Sequence, residues 1–242
     1  GFKGKSIRRA RRQIKRMISG SDQLVLNFKH RTAVGREDFL VAACNKEALS
    51  FIDEWPNWPG PAVVLCGERG SGKTHLAAVW CKRSNAVELD VGKLNVAKDF
   101  MNNGNQHFLI ETADKIFDEK TFLFFYNQIV DSGGTLLLTA GKPPASWQLY
   151  TLDLASRLKI APVIYIGKPD DHFIAAVLVK MFLDRQLKIG PDVIRYLLPR
   201  MERSLWNAGL LVNALDAAAL SQQRMVTVPL VRRILKNEGF KD

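Results

Sequence analysis

"GERGSGKT", residues 67–74, lies between the apolar run "PAVVLC" (61–66) and "HLAAVW" (75–80). Gly67 is followed by four residues and then Gly72-Lys73-Thr74, the phosphate-loop spacing. Glycines let such a loop curl so that its backbone N–H groups converge, and the start of the next helix adds free N–H groups and the positive end of its dipole. Residues 67–75 are therefore the candidate nucleotide-binding set: Gly67, Glu68, Arg69, Gly70, Ser71, Gly72, Lys73, Thr74 and His75. In this pattern Lys73 reaches the β- and γ-phosphates, and Thr74 offers its hydroxyl to Mg²⁺. The bound group is expected to be a nucleoside di- or triphosphate with Mg²⁺. The sequence leaves open whether the chain spends a nucleoside triphosphate or only holds one.

Four more short apolar runs accompany "AVVLC" (62–66): "AVELD" (86–90), "HFLIE" (107–111), "TLLLTA" (135–140) and "PVIYI" (162–166). Continuous apolar runs alternating with helical patterns imply a parallel sheet covered on both faces. A helical stretch is expected at about 37–53, broken by "NWPGP" (57–61). After "GKPDD" (167–171) the strand signals stop, and helices are expected at about 171–186, 190–199, 203–222 and 228–237. The reading is an α/β nucleotide-binding domain over 36–167 followed by a small all-helical lid over 168–242.

The net charge of +11 is concentrated in an arm. Residues 1–20, "GFKGKSIRRARRQIKRMISG", hold eight Lys or Arg and no acid, which leaves the remainder only mildly basic. Ile7, Ala10, Ile14, Met17 and Ile18 recur at helical spacing there. The arm, 1–22, reads either as a basic amphipathic segment touching nucleic acid weakly or as a leader without a dedicated role. No apolar stretch approaches the roughly 20 residues of a membrane helix, so no membrane association is expected. Cys44, Cys66 and Cys81 show no paired metal spacing, and the four histidines are scattered, so a Cys/His metal site is not expected.

Four stretches carry a family likeness: "GERGSGKTHL" (67–76), "FLFFYNQIVDSGGTLLLTAGKPPASW" (122–147), "DLASRL" (153–158) and "LDAAALSQQRMVTVPLVRRIL" (215–235). From residue 23 onward the chain resembles the DnaA branch of the AAA+ proteins and, within it, the Hda group. The resemblance implies an AAA+ parallel-sheet domain with a helical lid. It implies a bacterial cytoplasmic protein, associated with the nucleoid during replication, that restrains replication initiation. The implied partners are the DNA sliding clamp and the initiator DnaA, with self-association also allowed. The full initiator carries a helix-turn-helix domain after its lid, and none follows here, which favours the regulator. The alternative is an ATPase of the initiator or helicase-loader type, acting directly on DNA or on a helicase.

The same resemblance assigns roles residue by residue. Glu111 falls where the family has its metal-serving acid, and Mg²⁺ would be held by Thr74 and Glu111. Thr112 falls where a second carboxylate orients water, and it cannot do so. Gly141 stands where relatives carry a polar sensor, leaving Thr139 as a substitute. Trp206 occupies the place of the second sensor arginine, and Arg203, one helical turn earlier, is the candidate for phosphate contact. Arg157 matches an arginine that reaches into a neighbour's site, a catalytic finger acting in trans. "QLVLNF" (23–28), in a linker over 23–35, resembles a clamp-docking peptide through Gln23, Leu24, Leu26 and Phe28. The alternation of its apolar residues equally suits an edge strand packed on the domain. The departures at Thr112, Gly141 and Trp206 together lead to an expectation of a holder of ADP or ATP with weak or no turnover of its own.

Overall fold

A computed structural model describes residues 39–90, 92, 94, 104, 106–116, 118–222 and 225–237. The arm and the Gln23–Phe28 motif lie outside the described residues. The chain divides into two compact units, with the boundary between Gly167 and Lys168.

The first unit is a five-stranded parallel sheet. Its elements are α1 (Lys46–Glu54), β1 (Ala62–Cys66), α2 (Lys73–Ser84), β2 (Val87–Leu89), β3 (His107–Ile110), α3 (Glu119–Asp131), β4 (Thr135–Ala140), α4 (Leu152–Ile160) and β5 (Val163–Tyr165). The strand order is β2-β3-β4-β1-β5. β1 lies between β4 and β5, with Cys66 opposite Ala140 and Tyr165. Strand residues alternate between two cores. Val64, Phe108, Ile110, Leu136 and Leu138 face α3 and α4 through Phe122, Phe125, Ile129, Leu154 and Leu158. Val63, Leu65, Leu109 and Leu137 face α1 and α2 through Leu49, Ile52, Leu76 and Trp80. Burial on both faces is why these strands read as unbroken apolar runs.

Several boundaries differ from the sequence expectation. The helix expected at about 37–53 begins only at Lys46. Asn45 accounts for this: its Oδ1 accepts the Ala42 N–H at 2.8 Å and its Nδ2 donates to Leu40 O at 2.9 Å. Such local side-chain bonds offer the backbone an alternative to the helix. β3 stops at Ile110, so Glu111 opens the turn rather than ending the strand. β2 and β5 are three residues each, shorter than the runs that mark them.

The second unit consists of α5 (Asp171–Asp184), α6 (Pro191–Leu197), α7 (Leu205–Gln222) and α8 (Val228–Asn237). Asp170 starts α5 by accepting the Phe173 N–H at 2.7 Å, and Pro191 occupies the first turn of α6, where its missing N–H costs nothing. Ile174, Leu178, Phe182, Leu211, Leu215 and Val231 are fully buried in its core. No helix among the described residues is long and apolar enough to cross a membrane.

Candidate nucleotide site

The loop after β1 is shaped by its glycines. Gly70 and Gly72 adopt φ of 78° and 104°, which side-chain-bearing residues rarely reach. Gly67 has a steric requirement instead: a Cβ there would stand 2.7 Å from Ser71 Oγ and 2.9 Å from Ile166 O. Gly67 N donates to Ala140 O at 3.2 Å, which fixes the loop entry against the end of β4. Gly72 precedes α2 without a side-chain cap, so the helix start depends on backbone groups alone.

Lys73 bends over this loop and donates to Gly67 O at 2.7 Å and Glu68 O at 2.9 Å. Burial pushes its pKa down, while Cys66, Asp114 and Glu111 act in the opposite sense. The Cys66 thiol is pushed up, by burial first, with Lys73 opposing and Asp114 adding to the rise. Thr74 Oγ1 donates to Glu111 Oε2 at 3.2 Å, so the two candidate Mg²⁺ ligands meet although 37 residues separate them. Glu111 Oε1 and Ser71 Oγ are buried without a hydrogen-bond partner. Orphaned buried oxygens of this kind call for an explanation. A phosphate and its Mg²⁺ would supply it, a donor set of hydroxyl and carboxylate oxygens being suited to that ion. Glu68, Arg69, Thr74 and His75 are exposed on the loop and first turn, and the His75 ring stacks on Phe39 at 5.2 Å.

The edge formed by β3 and β4 is built differently. Thr112 sits at φ 54°, ψ 41°, a left-handed conformation that is an outlier for a β-branched residue. Its N–H is held by Thr139 Oγ1 at 3.2 Å, and Thr139 is 2% exposed. Thr139, the substitute sensor of the sequence reading, is thus engaged in bracing this turn. The turn leads into a short 3₁₀ helix, Ala113–Lys115, and brings the Asp114 carboxylate back to accept the Gly141 N–H at 3.1 Å. The left-handed Thr112, two residues earlier, turns the chain so that the Asp114 carboxylate reaches Gly141 N. Glu119, at the start of α3, is a second residue that no motif marked. Its carboxylate accepts the Tyr150 N–H at 2.9 Å and the Thr151 N–H at 2.6 Å, just ahead of α4.

Arg157 lies on α4. Its Nε is 2.9 Å from Asp153 Oδ1, and its guanidinium stands 5.8 Å from the Tyr126 ring centroid. The hydrogen bond to Asp153 raises its already high pKa, so the charge is permanent. In the second unit, Arg203 forms a two-pronged pair with Asp171 through Nε and Nη2, the latter at 2.9 Å. Trp206 is 51% exposed on α7.

Residues 171–235 match the family model described as Hda, lid domain. The fold resembles domain III of the replication initiation protein DnaA from Thermotoga maritima, at 19% identity and TM-score 0.71, covering 83% of this chain and 95% of that one. AMPPCP-bound DnaA from Aquifex aeolicus is similar at 15% identity and TM-score 0.61, over 76% and 65% of the two chains. The RuvB Holliday junction branch migration motor from Thermotoga maritima follows at 13% identity and TM-score 0.59, over 73% and 61%. The phosphate-loop sheet thus shares the fold of DnaA domain III, and the helices over residues 171–235 are similar to the Hda lid family.

Proposed function

We propose that this chain holds an adenine nucleotide in residues 67–75 and uses that state to act on the ATP of a partner, the initiator DnaA, so restraining replication initiation. The observation that carries the reading is an asymmetry along one sheet edge: the loop after β1 has every residue of the phosphate-binding pattern, whereas after β3 the second acid is a threonine in a left-handed turn. Holding the nucleotide is provided for, and rapid cleavage is not. Under this reading Thr74 and Glu111 would hold Mg²⁺, and the ion would supply charge neutralisation for the phosphates.

The group acting on the partner is Arg157. A transferring phosphoryl group is highly anionic, and a guanidinium supplied from another subunit offers it a fixed planar set of donors. The bonds that occupy Arg157 are a half-exposed ion pair and a ring contact, and such surface pairs contribute only about 0–1 kcal/mol, so exchanging them for phosphate costs little. Among the described residues Arg203 pairs with Asp171, and an exposed pair of this kind is exchanged at little cost. Gln23, Leu24, Leu26 and Phe28 would bring the chain to the sliding clamp, and the basic arm would add weak contact with DNA.

The test is ATP hydrolysis by ATP-bound initiator in the presence of DNA-loaded clamp. Wild type should stimulate it, and Arg157→Ala should lower that stimulation by about 10³-fold, the scale of an arginine supplied in trans. Arg157→Lys should also be poor, and Leu26→Ala with Phe28→Ala should lose clamp dependence. Undiminished stimulation by Arg157→Ala would assign the role elsewhere. Turnover by this chain alone at the rates of about 1–100 s⁻¹ seen in efficient phosphoryl-transfer enzymes would favour the loader-type alternative.

A further inference from the structure

Two acids lie in the turn after β3, and the family pattern accounts for only one of them. Glu111 meets Thr74. Asp114 arrives by a separate route. The left-handed turn at Thr112 and the 3₁₀ turn after it reverse the chain, and the carboxylate comes to rest 3.1 Å from Gly141 N, the first residue beyond β4. Ala140, just before it, accepts the N–H of Gly67. Asp114 is therefore two short links from the entry of the loop, and its charge bears on both Lys73 and Cys66.

Gly141 is part of the same arrangement. A Cβ at position 141 would come within 3.2 Å of Asp114 Oδ2, tighter than ordinary side-chain contacts. The missing side chain after β4 makes room for a carboxylate entering from the β3 side. Two apparent losses, an acid at 112 and a polar group at 141, thus border one compensating acid.

We propose that Asp114 aligns the attacking water for hydrolysis of ATP in this chain's own site. This rests on the reading of residues 67–75 as the nucleotide site. In the step, the water oxygen bonds to the γ-phosphorus and the bond from that phosphorus to the β–γ bridging oxygen breaks. The electron pair leaves on ADP, and the water proton passes to the Asp114 carboxylate. One carboxylate oxygen already accepts the Gly141 N–H, leaving the second oxygen for the water.

Asp114→Asn tests the proposal, because the amide oxygen still accepts the Gly141 N–H and only the charge is lost. The measurements on the full chain are equilibrium binding of ADP, of ATP, and of ADP with aluminium fluoride and Mg²⁺, a mimic that includes an in-line water. Single-turnover ATP hydrolysis is followed alongside. The variant should bind ADP and ATP within about twofold of wild type. It should lose at least about tenfold in affinity for the aluminium fluoride complex and a similar factor in rate. Equal affinity of the two proteins for the aluminium fluoride complex would overturn the proposal. So would a uniform loss for all three ligands, which marks a structural prop. Failure of wild type to bind any nucleotide would overturn the loop reading itself, a result separable from either of these.

Discussion

The two halves of the nucleotide edge are held in opposite ways. The loop after β1 is fixed mostly by contacts between near neighbours: Lys73 bonds to carbonyls five and six residues away, Ser71 N to Glu68 O, and Leu76 N to Gly72 O, with Gly67 N to Ala140 O as a long-range tie at its entry. The edge after β3 and β4 is fixed across long separations. Asp114 and Gly141 are 27 residues apart, Thr112 and Thr139 also 27, and Glu119 and Thr151 are 32 apart. A local arrangement of backbone groups can be specified by glycine spacing alone. An arrangement of side chains on distant backbone depends on how two connections lie after the sheet has formed. In the proposed reading the difference also divides the tasks, with phosphate binding assigned to the first kind and positioning of water to the second.

The comparison can be broken most strongly at Lys73. Lys73→Ala removes the one ammonium of the loop, and nucleotide affinity should fall by about 100-fold, the scale of a lost charge-assisted contact. Isothermal titration with ADP measures it, with circular dichroism as the check on folding. A variant that binds ADP as tightly as wild type would mean that the charge at 73 contributes nothing.

A smaller effect is expected where backbone shape alone is altered. Gly67→Ala leaves every charge in place but drives a methyl toward Ser71 and the fixed carbonyl of Ile166. The carbonyl belongs to backbone and cannot swing aside, so the loop must move. Overpacking of this kind costs about 1–3 kcal/mol, to be read from urea unfolding, and nucleotide affinity should fall with it. Unchanged stability and affinity would show that the loop is looser than its local contacts suggest.

The smallest effect tests the long-range half. The Glu119 carboxyl is held below the usual carboxylate range, first by the Tyr150 N–H and then by Thr151. Because the folded pKa is the lower one, its stabilisation is complete above the ordinary value of 4.5 and is lost as pH falls through the folded value. Glu119→Gln should therefore have a slightly lower urea midpoint than wild type at pH 7. The gap should close below about pH 4. A gap of constant size across that range would mean that shape, and not charge, ties α3 to the start of α4.

Several elements were legible because a local physical rule dictates them. The phosphate loop followed from glycine spacing between an apolar run and a helix. The central strands followed from unbroken apolar runs, and the lid helices from the loss of strand signals after residue 167. Asn45 hid the true start of α1, since its side-chain bonds to Leu40 and Ala42 leave no mark in hydrophobic periodicity. Asp114 and Glu119 were unreadable as site residues for a related reason. An acid after a strand and an acid at a helix start look alike in any sequence, and their partners are 27 to 32 residues away.

By itself, then, the sequence determined what backbone chemistry requires: glycines at 67, 70 and 72, Lys73 and Thr74 behind them, and apolar strands to carry the loop. It also recorded which family residues are missing, at 112, 141 and 206. Only the tertiary structure decided what stands in the cleared space. A parallel sheet sets the ends of β3, β4 and β1 side by side, and a strained turn at Thr112 directs a carboxylate onto the backbone of Gly141. That outcome depends on strand order and on one dihedral angle, neither of which is encoded in local residue spacing.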